Sequence, residues 1–341
     1  MSSQPISYSE AIREAFVYLL DNHPSVFVIG QGLWSPWYVG NTMRDLDKKY
    51  GESRIIDTPV SEGATTGMGI GASLCGYRPV VVHPRLDFMI LAADQMVNQA
   101  AKWSYMLGGQ GHPGVTIRGI INRGGEQGAQ HSQALQSWFA HIPGLRVVMP
   151  ATVADARDLL VSSVLSDDPV LYIDDRWLYE EQAVLPPVQE TSLSLEGPKV
   201  IRVGKDLTLV GSSFSTKLCM GAADQLAKEG ISAEVVDLRV LNPLRYETIV
   251  TSAKKTGNLI VVDGGWSTCG MAGEIIAGVC ERIHLNRKPR RITLTDVPAP
   301  SSRLLENAYY PTVETVYRAA SQMLKPHSKG FDDETLSGLH L

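Results

Sequence analysis

The sequence predicts an α/β protein made of two consecutive parallel-sheet domains. Short runs rich in Val and Ile alternate with longer segments of helical period. The rhythm breaks once, in a stretch containing Glu180-Glu181-Gln182 and Pro186-Pro187, and then restarts. A length of 341 residues suits two domains at roughly 150 residues each. Strands separated by helices run parallel, because each helix returns the chain to the starting edge and covers one face of the sheet.

A helix is expected first, over 8–22. The first domain, 1–180, then carries strands at 26–30, 54–58, 79–83, 115–121, 145–149 and 170–174, with helices over 64–74, 88–107 and 153–165. Residues 181–199 show no sustained apolar period and read as a linker. The second domain, 200–325, carries strands at 207–211, 233–238, 259–263 and 291–294 and helices over 215–228, 246–254, 271–284 and 313–323. A polar tail, 326–341, follows.

Composition excludes several classes of function. Hydrophobic residues at 44% and charged residues at 20% are ordinary globular usage and argue against a disordered or fibrous chain. A net charge of -5 leaves no basic footprint for nucleic acid or an anionic membrane. No apolar run approaches the roughly 20 residues that cross a bilayer, and residues 1–10 lack the pattern of a secretory signal. A cytoplasmic location is the expectation. Cys75, Cys219, Cys269 and Cys280 are too few for a disulfide framework and have neither zinc nor Cys-x-x-Cys spacing, so buried, inert thiols are expected.

Gly67-Met-Gly-Ile-Gly71 falls inside a helical pattern, which favours close packing over a dinucleotide turn, and no P-loop is present. Three other segments can carry chemistry. In Ile55-Ile56-Asp57-Thr58-Pro59-Val60-Ser61-Glu62-Gly63-Ala64 a strand ends at a turn and a helix opens, so Glu62 sits at the strand edge where open α/β sheets bind ligands. The plain alternative is a first-turn carboxylate favoured by the helix dipole. From Arg118 to Gln133 a strand enters a glycine-rich loop that presents His131, either a general acid or base near neutral pH or only a hydrogen-bonding loop residue. In His83-Pro84-Arg85-Leu86-Asp87-Phe88 a strand ends ahead of a long helix, which reads as a salt-bridged turn and a core aromatic unless other features argue otherwise.

Taken together these segments resemble the beta subunit of the thiamine-diphosphate-dependent decarboxylating component of 2-oxoacid dehydrogenases, pyruvate dehydrogenase beta-like, in the transketolase superfamily. The matching text is IIDTPVSEGATTGMGIGASLCGYRPVV, DFMILAADQMVNQAAKW, GAQHSQALQSWFAHIPGLRVVMPAT and DDPVLYID, with VVDGGWSTCGMAGEI further on. The resemblance implies a transketolase-like pyrimidine-binding domain followed by a transketolase C-terminal domain. It implies that Glu62 bonds the aminopyrimidine ring nitrogen of thiamine diphosphate, where a buried carboxylic acid suits the proton exchange that activates the cofactor. By the same resemblance Phe88 packs against the pyrimidine, and His131 contacts the carboxylate of a 2-oxoacid and assists acyl transfer to an acceptor such as a lipoyl domain. It also implies a potassium ion held mainly by main-chain carbonyls at Val115, Ser163, Val164, Ser166 and Asp168.

Two departures matter. Arg85 stands where common members have uncharged residues, which favours an anionic substrate or acceptor. The Gly-Asp-Gly and following Asn that hold magnesium and diphosphate in this superfamily are absent, and Val262-Asp263-Gly264-Gly265 with Asn286 is a decoy. An alpha subunit is therefore expected to supply the magnesium and diphosphate half, in a heterotetramer of two alpha and two beta chains. Competing readings are half of a split transketolase-type carboligase acting on a sugar, a non-catalytic assembly subunit, and a generic small-ligand binder.

Overall fold

A computed structural model describes residues 4–325, so the polar tail expected over 326–341 lies outside the described residues. Along the chain β1 (Ile6–Ser7) precedes β2 (Val26–Gly30), β3 (Ile55–Asp57), β4 (Arg78–His83), β5 (Thr116–Ile121), β6 (Arg146–Val148) and β7 (Val170–Asp175). After β8 (Gln182–Ala183) come β9 (Lys199–Arg202), β10 (Leu207–Gly211), β11 (Ala233–Asp237), β12 (Val240–Asn242), β13 (Leu259–Trp266) and β14 (Arg290–Leu294). The first sheet has the order β12-β6-β7-β5-β4-β2-β3 and the second β14-β13-β10-β11-β9. Within the first sheet every pairing is parallel except β12 on β6, so β2 to β7 all present their C-terminal ends on one edge.

The opening helix, Tyr8–Asn22, forms as expected because its ends and its face agree. Ser7 accepts from the Glu10 N–H while the Glu10 carboxylate accepts from the Ser7 N–H at 2.8 Å, a reciprocal cap that occupies two N–H groups left free by the helix start. Ala11, Ile12, Ala15, Phe16 and Leu19 make one buried stripe. That stripe packs with helix Val153–Val164 on one face of the first sheet. On the other face an apolar cluster runs continuously from Val81 and Ile117 through Phe139 to Val210, Val261 and Ile275, joining the two sheets through one core.

Several local expectations need correction. The helix expected over 88–107 is broken into α (Leu86–Met89), 3-10 (Ile90–Ala92), π (Gln95–Ala100) and α (Ala101–Met106) segments. A one-residue widening of a turn keeps Met96 and Ala100 in the core, and apolar spacing does not register it. Cys75, Cys269 and Cys280 are exposed, and only Cys219 is buried; small apolar side chains at helix ends and loops escape burial that their type favours. The segment expected as linker is partly ordered, since β8 pairs antiparallel with β1 and Leu193 is buried. One strand crosses over: β12, from the second rhythm, adds to the first sheet beside β6.

No helix among the described residues is long and apolar enough to cross a membrane.

Candidate functional site

Parallel pairing brings the loops after β2, β3, β4, β5 and β7 to one edge, and these loops carry the candidate residues. β3 ends at Asp57, whose Oδ1 accepts the Gly32 N–H at 2.6 Å and the Leu33 N–H at 3.3 Å, tying the loop after β2 to the one after β3. The chain turns through Thr58-Pro59 and enters helix Glu62–Leu74 with no side-chain cap from Ser61. Glu62 is therefore the first helical residue. It is only 8% exposed, and its carboxylate has no hydrogen-bond partner among the described residues. The free N–H groups of the helix start lie at this residue, and its side-chain oxygens are left open to a ligand.

One turn on, Thr66 Oγ1 lies 3.0 Å from Nε2 of buried His83, the last residue of β4. Burial pushes the His83 imidazole down to about 4, so it is neutral at physiological pH and serves as a hydrogen-bonding support.

Phe88 lies in the short helix after β4, and His131 comes from the loop after β5; their rings meet edge to face at 5.1 Å between centroids and 77° between planes. The loop can reach because Gly124, Gly125 and Gly128 take positive φ of 83°, 66° and 71°. At Gly124 a Cβ would also strike the Trp177 indole at 2.7 Å. Five contacts fasten the loop. The buried Asp87 carboxylate accepts the Gln133 N–H at 2.9 Å, two residues past His131. The Glu306 carboxylate accepts the Glu126 N–H at 3.0 Å. Arg123 bridges Asp175 at 2.6 Å and the Gly264 carbonyl at 3.1 Å, and Gln136 Nε2 donates to Asp263 at 2.7 Å. Glu306, Gly264 and Asp263 belong to the C-terminal half, so the halves together hold the loop.

Arg85 follows β4 and is half-buried, with Nη1 donating to the Pro84 carbonyl at 3.1 Å. With its amide oxygen turned toward the guanidinium, Asn122 accepts from Arg85 Nη2 at 2.9 Å. Burial and the charge of Arg176 lower the affinity of Arg85 for its proton. A shallow cleft of about 450 Å³, lined by Trp34, Tyr38, Asp57, Pro59 and Val60, lies beside Glu62 along the sequence and the sheet edge. A larger cleft of about 810 Å³ lies between Trp138 and Met271 and contains none of Glu62, Phe88 or His131. Neither cleft is lined by Glu62, Phe88 or His131, so the Glu62 carboxylate and the Phe88–His131 contact, not a cavity, mark the candidate site.

The donor sets separate the implied groups. A buried acceptor with a free carboxylate and an aromatic edge nearby fits an aminopyrimidine ring, which offers a ring nitrogen and an apolar face. Two of the five carbonyls expected to hold potassium, those of Val164 and Ser166, already face a cation. The Val115 carbonyl accepts the Val170 N–H at 2.9 Å, and the Ser163 carbonyl accepts the Ser166 N–H at 3.2 Å. Arg78 Nη1 donates to the Val164 and Ser166 carbonyls at 3.2 and 2.9 Å, while the Asp168 carboxylate accepts from Arg146 at 2.6 Å. The Arg78 guanidinium thus sits against the Val164 and Ser166 carbonyls alone. Among the described residues no group of three His, Cys, Asp or Glu side chains is placed to hold a metal.

Two α/β domains that share one core match, in order, the two domains of the transketolase type. Residues 4–181 match the transketolase pyrimidine-binding domain and residues 198–316 the transketolase C-terminal domain. The mitochondrial pyruvate dehydrogenase E1 component subunit beta of Dictyostelium discoideum is 37% identical over 327 residues, spanning 94% of this chain and 92% of the relative. The acetoin:2,6-dichlorophenolindophenol oxidoreductase subunit beta of Cupriavidus necator is 36% identical over 335 residues, spanning 95% and 98%. A solved split-gene transketolase, described as an inactive beta4 tetramer, superposes with a TM-score of 0.77 at 23% identity over 94% of this chain and 98% of that one, a likeness of fold. The chain belongs to the family of beta subunits of thiamine-diphosphate-dependent 2-oxoacid dehydrogenases.

Sequence reasoning singled out Glu62, Phe88, His131 and Arg85, and the structure brings all four to one sheet edge. It passed over Asp87 as a tether, His83 as the support under helix Glu62–Leu74, and Arg176. For Asp87 the signal was available: a carboxylate directly before Phe88.

Proposed function

We propose that this chain is the catalytic beta subunit of a 2-oxoacid decarboxylating dehydrogenase or acyltransferase, working with an alpha subunit in a heterotetramer of two alpha and two beta chains. The observation that carries the reading is the buried, unpartnered Glu62 carboxylate on the same edge as the Phe88–His131 contact. Thiamine diphosphate, when bound, supplies the electron sink for loss of carbon dioxide. In this reading Glu62 holds and exchanges a proton at the pyrimidine ring nitrogen, and Phe88 packs the ring. His131 bonds the 2-oxoacid carboxylate and handles a proton during transfer to a lipoyl domain, while Arg85 attracts an anionic substrate. Magnesium and the diphosphate belong to the alpha subunit, because this chain lacks the Gly-Asp-Gly motif for them. A cytoplasmic site of action is part of the same proposal.

Co-expression with an alpha subunit carrying Gly-Asp-Gly, followed by cofactor-dependent decarboxylation of pyruvate and longer 2-oxoacids, tests the reading. Activity is expected only for the pair, with Glu62→Gln reducing it at least a hundredfold while the complex still assembles. Full turnover in the Glu62→Gln pair would make this a non-catalytic assembly subunit, and transfer to aldehyde sugars in preference to lipoyl domains would make it a carboligase.

A further inference from the structure

We propose that Arg85 and Arg176 together form an anion subsite at the C-terminal edge of the first sheet, which takes a second anionic group, carboxylate or phosphate, on the substrate or acceptor handled at Glu62 and His131. The inference rests on the functional reading above and deepens it.

Sheet order makes the pair. Arg85 follows β4, Asn122 follows β5 and Arg176 follows β7, and these three strands are consecutive neighbours. Two strand spacings separate the backbones by about 10 Å, a gap that two arginine side chains reach across. The proximity registers electrostatically, since the Arg176 charge is among the influences that weaken proton binding at Arg85.

Among the described residues neither guanidinium has a carboxylate within salt-bridge distance, although the Asp87 charge acts on Arg85 from further off. Elsewhere this chain pairs its buried arginines with carboxylates: Arg118 with Asp174 at 2.8 Å, Arg123 with Asp175 at 2.6 Å and Arg239 with Asp155 at 2.7 Å. Among the described residues Arg85 instead meets only the Pro84 carbonyl and the Asn122 amide oxygen, and Arg176 Nη2 only the Tyr38 carbonyl. Arg176 Nε is buried with no partner. Asp87, close in sequence, turns its carboxylate to the Gln133 N–H. Two half-buried cations without a carboxylate are costly unless an anion arrives from outside. Guanidinium forks suit the paired oxygens of carboxylate or phosphate. Neutral Asn122 between the strands fixes the Arg85 fork without quenching its charge.

The test uses the assembled alpha–beta complex and the full-length chain. In one arm, kcat/KM is compared for 2-oxoglutarate and 2-oxobutyrate; in another, for a phosphorylated and an unphosphorylated aldose as acceptor. In one of these arms the ratio of doubly to singly charged compound is expected to fall tenfold or more in Arg85→Gln and again in Arg176→Gln, and the arm that responds names the source of the anion. Calorimetric titration of the full-length chain with inorganic phosphate is expected to show saturable binding that the double variant loses. That measurement is independent of turnover, so absence of all 2-oxoacid activity would sink the functional reading while the phosphate arm still decides the subsite. Phosphate binding that persists in the double variant, ratios unchanged in both arms, or complex formation lost in Arg176→Gln would each overturn the proposal; the last would assign the arginines to carboxylates of the alpha subunit.

Discussion

Asp87→Ala tests whether a single buried carboxylate places His131. Asp87 is 2% exposed, its Oδ1 accepts the Gln133 N–H at 2.9 Å, and its Oδ2 is buried without a partner. A hydrogen bond to a charged acceptor contributes about 1.5–3 kcal/mol, and leaving the Gln133 N–H unmade costs about 1–3 kcal/mol. His131 lies two residues from that N–H, and its ring rests against Phe88, the neighbour of Asp87. Release of the tether therefore frees the loop on the side that aims the imidazole. If about 1.4–2.7 kcal/mol of the loss appears as misplacement in the transition state, kcat falls about 10- to 100-fold. Asp87→Asn keeps an acceptor at Oδ1 and is expected to recover most of the rate. Steady-state kcat and KM of the assembled enzyme, with urea unfolding of each variant, supply the measurement. Wild-type kcat in Asp87→Ala, or Asp87→Asn no better than Asp87→Ala, refutes the tether. A pH check accompanies it. Burial raises the Asp87 carboxyl above its usual value, so its contribution to stability is present below about pH 4 and is lost as pH rises through the raised folded value. Asp87→Asn escapes that loss and gains on wild type as pH rises from about 4 through the raised folded value.

Burial and the nearby Asp155 push Asp237 up to about 7, so the stability it contributes is present below about pH 4 and lost as pH rises through 7. Asp237→Asn is expected to exceed wild type by roughly 2–4 kcal/mol at pH 8, read as urea midpoints; equal midpoints there defeat the argument. His83, held near 4 by burial, carries the opposite sign: its contribution is present above about pH 6.5 and lost as pH falls through 4. His83→Gln should flatten the acid limb of the stability curve between those values by roughly 3 kcal/mol, and an unchanged limb rules this out. Arg118, 0% exposed, donates twice to Asp174 at 2.8 Å and once to Thr42. Arg118→Met is expected to cost about 3–5 kcal/mol by stranding the carboxylate, with Arg118→Met/Asp174→Asn recovering part of it; strict additivity in that cycle contradicts the pairing.

The fold was legible wherever one local pattern decided the outcome. Tyr8–Asn22 and Leu207–Gly211 came out with the expected bounds, because apolar period and flanking polar residues agree there. Val26–Gly30 did too, a Val- and Ile-rich run ending at glycine. Where the outcome depended on distant partners, local reading failed. Val240–Asn242 is three residues long and pairs with β6 across the domain boundary, so nothing in its own window tells it from a turn. The π segment Gln95–Ala100 keeps the apolar residues of an ordinary helix while setting the Gln95 side chain against Gly63 and Gly67.

The site divides along the same physical line. Glu62, Phe88 and His131 were legible because each sits at a strand end next to turn residues, and every parallel strand of one sheet ends on one edge whatever the strand order. Charge balance at that edge was not legible, because it depends on the order itself. Arg118 and Asp174 neutralise each other only because β5 lies beside β7, and Arg176 approaches Arg85 only because β4 lies on the far side of β5. Exchange the places of β4 and β6, and the sequence would keep every motif while Arg85 kept its place after a strand end but lost its neighbour. Recognition of an anion at this edge is thus a property of strand order, and substitutions at Arg176 are the ones that separate it from the chemistry carried by the motifs.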